Sequence, residues 1–203
     1  MHDRVIAGGL FGLGLAVLGG FALIQSGGAA DAQVQDGPGP NLVIELGGSA
    51  SGRIVIDLRE DLAPAHAERL TMLAEQGAYD GVVFHRVIDG FMAQTGDVQY
   101  GRQGSDTRRA GMGGSDLPDL PAEFSRLPFE RGTVGMARSQ NPNSANSQFF
   151  IMFAPASHLN GQYTVVGQVI EGMDAVDAIK KGNSRANGAV DDPDYMARVS
   201  VER

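Results

Sequence analysis

From Asn41 onward the chain alternates between apolar and polar positions. Leu42, Ile44 and Leu46 share one side of an extended segment, and Ile54, Ile56 and Leu58 share one side of the next. This is the period of two that a half-buried strand requires. The intervening Gly47-Gly48-Ser49-Ala50-Ser51-Gly52 is turn-forming, so the pair predicts a hairpin. Further strands are predicted at 82–87, 91–95, 133–137, 148–153, 163–170 and 197–201, eight in all. Twice the period becomes helical. Between Pro64, suited to a first helical turn, and Gly77, suited to ending one, Ala63, Ala67, Leu70 and Ala74 recur at helical spacing. Met173, Val176 and Ile179 form a second stripe over 173–181, with Asp174 near its start and Lys180 and Lys181 at its end, where they suit the helix dipole. Strand and helix do not alternate regularly, which argues against a parallel sheet with helices on both faces. The expected fold is mainly β: an eight-stranded antiparallel closed barrel capped by two α-helices.

Two stretches depart from this rhythm. Residues 5–24 hold only apolar residues and glycines, 20 in a row. That exceeds the ~7–15 of an ordinary signal-peptide core and reaches the ~20 that span a bilayer. Residues 1–32 are therefore expected to be a signal peptide or an N-terminal membrane anchor attached through 5–24. The eight glycines before residue 29 disfavour a buried globular helix. Ala30-Asp31-Ala32 is an A-x-A triplet whose cleavage would leave Gln33 as the mature terminus. Cleavage is expected, with the uncleaved anchor as the alternative. Residues 25–40 carry Asp31 and Asp36 and no Lys or Arg, which places the domain beyond them outside the cytoplasm, in a periplasm. Residues 33–40 (QVQDGPGP) read as a linker, and 41–203 as the folded domain. The second departure is 97–126, about thirty residues without a period and with five glycines, the signature of a functional loop or a locally flexible segment. Arg102, Arg108 and Arg109 in it could form a phosphate patch, although a solvated face is the simpler account.

Composition narrows the chemistry. The chain has no cysteine, which excludes disulfides, thiolate zinc sites, iron–sulfur clusters and a cysteine nucleophile. Its formal charge is −8, and −7 remains after residues 1–32 are removed. With no basic run to offset that charge, nucleic acid is not an expected partner. His2, His66, His85 and His158 lack metal-ligand spacing, and Asp191, Asp192 and Asp194 supply only half a calcium loop, so neither metal nor cofactor is expected. His85, Asp97 and Ser147 can be written as a hydrolase triad, but no G-x-S-x-G turn surrounds Ser147.

The densest chemistry lies in VFHRVIDGFMAQTGD, residues 83–97. A hairpin turning at Asp89-Gly90 brings Arg86, Phe91, Met92 and Gln94 together: a cation, an aromatic, a soft hydrophobe and an amide. Alone, it reads as a barrel hairpin with an exposed arginine. A second segment, Gly135-Met136-Ala137-Arg138 followed by Ser147-Gln148-Phe149-Phe150-Ile151, turns Gln148 and Phe150 to one side and Phe149 and Ile151 to the other. A third is His158-Leu159-Asn160-Gly161-Gln162-Tyr163.

In this combination and order, FHRVIDGFMAQTGD, MAR, SQFFI, HLNGQYTVVGQV and EGMDAVDAI resemble the cyclophilin family of peptidyl-prolyl cis/trans isomerases over nearly all of 41–203. The resemblance implies an eight-stranded barrel with two capping helices and a proline-binding groove on its outside. It implies Arg86 as the catalytic arginine, a proline pocket of Phe91, Met92, Phe150 and Leu159, and Gln94 holding substrate backbone. Ala137, Arg138 and Gln148 would line the adjoining groove, and Tyr163 would also bind substrate. The implied partners are proline-containing segments of folding proteins, met by a monomer, and the implied role is to accelerate X–Pro rotation in exported proteins. A proline-peptide binding module or chaperone without essential turnover is the alternative. His158 stands where many eukaryotic members have tryptophan and Tyr163 where they have histidine, and the former implies weaker inhibition by cyclosporin.

Elementary chemistry agrees with this assignment. An X–Pro bond resists rotation, with a barrier of ~18–20 kcal/mol, because the nitrogen lone pair is conjugated with the carbonyl. Twisting localises that lone pair on nitrogen, so a guanidinium donor placed there binds the twisted state better than either planar one. Such a preference is catalysis.

Overall fold

A computed structural model describes residues 35–203. The segment 5–24 and the triplet Ala30-Asp31-Ala32 lie outside the described residues. Among the described residues, no helix is long and apolar enough to cross a membrane.

The first hairpin forms as its alternation requires. Strands β1 (Asn41–Gly47) and β2 (Gly52–Leu58) pair antiparallel, with Leu42 opposite Ile56 and Ile44 opposite Ile54. These four side chains are fully buried in the main core. Next comes helix α1 (Pro64–Glu75), then β3 (Val82–Val83), β4 (Arg86–Ile88), β5 (Met92–Thr95), β6 (Thr133–Met136), β7 (Phe149–Met152), β8 (Val165–Glu171), helix α2 (Met173–Ala178) and β9 (Tyr195–Glu202). The strands form one antiparallel sheet in the order β3-β9-β1-β2-β8-β6-β7-β5-β4.

The fold is mainly β with two helices as expected, but the antiparallel sheet curls into a half-barrel of nine strands where the sequence pattern predicts a closed barrel of eight. The single strand expected over 82–87 is two. It breaks at Phe84 and His85, where the chain changes partner: the Phe84 amide still donates to the Asp194 carbonyl at 2.8 Å in register with β9, and from Arg86 the chain pairs with β5 instead. The two ends of the strand order, β3 and β4, are thereby joined through two residues of chain. The free edge of β4 is covered by backbone bonds between Val87 and both Gly182 and Gly188, which removes an edge open to pairing. Helix α2 also ends earlier than expected, at Ala178, and the Lys181 ammonium donates to the Asp177 and Ile179 carbonyls at its end.

The stretch 97–126 has no period because polar side chains hold it rather than an apolar face. Asp97 is fully buried, and its carboxylate accepts the backbone N–H groups of Gln99, Tyr100, Gly111 and Gly113. The Asn146 amide accepts from Ser115 and donates to the Leu117 carbonyl. Glu123 receives the first free amides of α1, from Ala65 and His66, and sits 2.6 Å from His66 Nδ1. The three arginines considered as a phosphate patch do not converge: Arg102 donates to the Ala78 and Asp80 carbonyls, Arg108 pairs with Asp106, and Arg109 lies over Tyr100. Asp194, from the acidic run near the end of the chain, accepts from Ser49, Ala50 and Lys180. Burial alone would raise its pKa, yet these backbone and hydroxyl donors outweigh that and hold it below the usual carboxylate value.

Candidate active site

Four neighbouring strands carry one row of residues across the outside of the barrel. Arg86 on β4 is opposite Gln94 on β5, Gln94 is opposite Phe150 on β7, and Phe150 is opposite Gly135 on β6. The period of two sends the intervening residues the other way. Ala93, Phe149 and Ile151 enter the main core, whereas Met92, Phe150 and Met152 join Phe129, Leu159 and Val165 in a second apolar cluster outside it. Gly135 makes this possible, since a Cβ there would stand 2.5 Å from the Phe150 ring and 2.6 Å from that of Phe129. Those two rings stack with centroids 5.8 Å apart. The hairpin that supplies Arg86 and Gln94 turns at Asp89-Gly90 as expected. There the Phe91 amide donates to the Ile88 carbonyl, and Gly90 takes the positive φ of 67° that the third position of a type II turn needs.

A pocket of about 320 Å³ opens above this row. Phe91, Met92, Phe150, Leu159 and Tyr163 form its apolar wall, and Arg86, Gln94, Ala137 and Arg138 stand at its polar margin. His158 stacks on Phe91 at 5.8 Å, and Tyr163 meets Phe150 edge-on at the same separation. A larger cleft of about 580 Å³ shares Gln94, Ala137 and Arg138 with the pocket and is closed on its far side by 111–115 and Asn146. Gln148 lines this second cleft rather than the apolar pocket. The residues expected from the sequence are thus brought together around two joined depressions.

Polar side chains fix the margin. Arg86 donates to the Asn187 backbone carbonyl and side-chain oxygen, each at 3.1 Å, and to Gln94 Oε1 at 3.1 Å. Gln94 donates to Gln148 Oε1 at 3.0 Å, and Gln148 donates to the Gly113 carbonyl at 2.7 Å. This relay ties β4 to the loop that Asp97 organises. Burial lowers the pKa of Arg86 from its usual value, with the Tyr163 hydroxyl acting in the opposite sense; the guanidinium remains a cation. Sequence reasoning missed Asn187. Its one signal is the turn-forming Asn187-Gly188 pair, and Asn187 does adopt a left-handed φ of 53°, but nothing in that pair points to an arginine 101 residues away. Phe129, under the pocket floor, was missed as well.

No hydrolase triad assembles. Ser147 donates to the Gly96 carbonyl, Asp97 is occupied by backbone amides, and both ring nitrogens of His85 lack a hydrogen-bond partner. Burial, only partly offset by Asp97, pushes His85 down to about 4.

The family model described as cyclophilin type peptidyl-prolyl cis-trans isomerase/CLD matches residues 42–201. This chain belongs to the cyclophilin family. It is 56% identical over 181 residues to proteins of Brucella suis biovar 1 and Brucella abortus, each named a "probable peptidyl-prolyl cis-trans isomerase", covering 88% of this chain and 88% of each relative. A Rhizopus delemar peptidyl-prolyl cis-trans isomerase is 37% identical over 74% of this chain and 44% of its own length. Among solved structures, a cyclophilin from Hirschia baltica aligns with a TM-score of 0.66 at 24% identity, over 81% of this chain and 74% of that one. A Cryptosporidium parvum cyclophilin-type isomerase, crystallised in the presence of the dipeptide Ala-Pro, aligns at 0.67 and 24%, over 80% and 99%. This cyclophilin is accordingly a peptidyl-prolyl cis-trans isomerase, an activity that needs no covalent intermediate.

Proposed function

We propose that Arg86 is the catalytic residue of this isomerase, that the pocket of Phe91, Met92, Phe150, Leu159 and Tyr163 holds the prolyl ring, and that Gln94 holds adjoining substrate backbone. The observation that carries this is the fixed guanidinium at the margin of an apolar pocket. Asn187 and Gln94 hold Arg86 on two sides, so it needs little reorganisation when the prolyl nitrogen becomes an acceptor in the twisted state. Each ~1.4 kcal/mol by which that donor prefers the twisted over the planar bond speeds exchange tenfold. The Ala-Pro dipeptide present with the Cryptosporidium parvum relative supports a proline-containing peptide as the ligand. Both depressions are complete within one chain, which suits a monomer.

The clients are proteins folding outside the cytoplasmic membrane. The support is the uncharged stretch 5–24, the acidic segment after it and the A-x-A triplet at 30–32. Fractionation with intact-mass measurement tests this. A periplasmic species beginning at Gln33 is expected, a full-length membrane species would replace cleavage by anchoring, and a full-length cytoplasmic species would overturn export.

A further inference from the structure

We infer that Arg138 gives this isomerase a preference for peptides with an acidic side chain within two residues of proline. The inference rests on the placement of proline proposed above.

The two depressions share only Gln94, Ala137 and Arg138. A peptide with its proline ring in the smaller one that continues into the larger one must pass over these residues. Arg138 is the charged group at that crossing, and its guanidinium is held in place. It stacks over the Tyr163 ring at 4.2 Å, donates through Nε and Nη2 to the Gln162 carbonyl, and donates through Nη1 to the Ser139 carbonyl. All of these acceptors are neutral, and among the described residues no carboxylate lies within ion-pair distance of Arg138, whereas Arg59, Arg108, Arg131 and Arg203 each have one and Arg53 has two. A guanidinium has five N–H donors, so donors remain for a ligand. Arg86, the next cation along the crossing, is likewise held by neutral groups. Asp119 in the larger cleft is engaged by the Asn146 amide. The molecule carries a net charge of −8, yet two arginines with neutral partners flank the path of the peptide.

A guanidinium already ordered by stacking and backbone bonds loses little freedom on pairing with a carboxylate. It is half-exposed, so the gain is that of a surface pair, roughly threefold to fivefold in affinity, and it is screened by salt.

The test uses paired peptides that differ only by Glu or Gln at one of the two positions on either side of a single proline. Catalysed cis–trans exchange is measured for each with the wild-type protein and with Arg138→Gln and Arg138→Lys. At one position the wild type is expected to favour Glu over Gln in kcat/KM by roughly threefold to fivefold at low salt, with the ratio falling as salt is added. The ratio should drop to about one in Arg138→Gln and keep its direction in Arg138→Lys. Each value is a ratio within one protein, so a variant with lower overall turnover still reports. No Glu preference at any position, or one that survives in Arg138→Gln, overturns the inference. If neither peptide is turned over, the placement of the active site fails instead, and the same Glu/Gln ratio in binding affinity decides the role of Arg138.

Discussion

Arg86 and Asn187 lie 101 residues apart in the chain and meet through two hydrogen bonds, from Nε to the Asn187 backbone carbonyl and from Nη2 to its side-chain oxygen, both at 3.1 Å. Asn187 can offer both oxygens in one direction because its backbone is left-handed, a conformation asparagine tolerates better than most residues. The contact aims the guanidinium across the pocket margin toward Gln94.

Asn187→Gly tests this aiming, because glycine accepts the same backbone and removes only the side-chain oxygen. Turnover is expected to fall by about threefold to tenfold, the scale of one charge-assisted hydrogen bond, with KM little changed. An unchanged kcat would make Asn187 a turn residue only.

Gly135→Val should damage fold and pocket together. Its Cβ would enter the space of the Phe150 and Phe129 rings, so a loss of about 1–3 kcal/mol is expected from overpacking. Thermal unfolding measures the loss. An equally stable variant would show that the two rings can move apart.

His85 makes stability depend on pH with a definite sign. Its folded pKa, about 4, lies below the unfolded ~6.5. The unfolded chain therefore binds more protons between these values, and stability present above pH ~6.5 is lost as pH falls toward 4. The full difference is about 3 kcal/mol. His85→Gln should show a shallower fall in unfolding temperature over that window than the wild type. Parallel curves would contradict the buried neutral imidazole.

His158→Trp probes the rim of the pocket. Tryptophan would extend the apolar face that now stacks on Phe91 and add an indole donor. Tighter inhibition by cyclosporin is expected, and unchanged inhibition would place residue 158 outside the inhibitor site.

Much of the site was legible because strand alternation and one hairpin bring it together. Arg86, Phe91, Met92 and Gln94 lie within nine residues, and the outward side of Phe150 follows from counting by two along β7. The break at Phe84 and His85 was not legible, because the local alternation continues through it and the change of partner from β9 to β5 is set by pairing between segments distant in sequence. The stretch 97–126 was opaque for a related reason. Its order comes from the Asp97 and Asn146 side chains accepting backbone amides, which leaves no hydrophobic period to read. Asn187 escaped notice because a turn residue reveals its conformation in sequence but not its partner.

The central claim is that Arg86 favours the twisted X–Pro bond while the apolar pocket holds the ring. The most direct test compares wild type and Arg86→Ala in catalysed cis–trans exchange of an Ala-Pro peptide, with peptide affinity and circular dichroism measured on the same samples. Turnover should fall by about tenfold or more, equivalent to ~1.4 kcal/mol or more of barrier, while the fold is retained and the peptide still binds. Equal turnover by a folded Arg86→Ala protein would contradict the account.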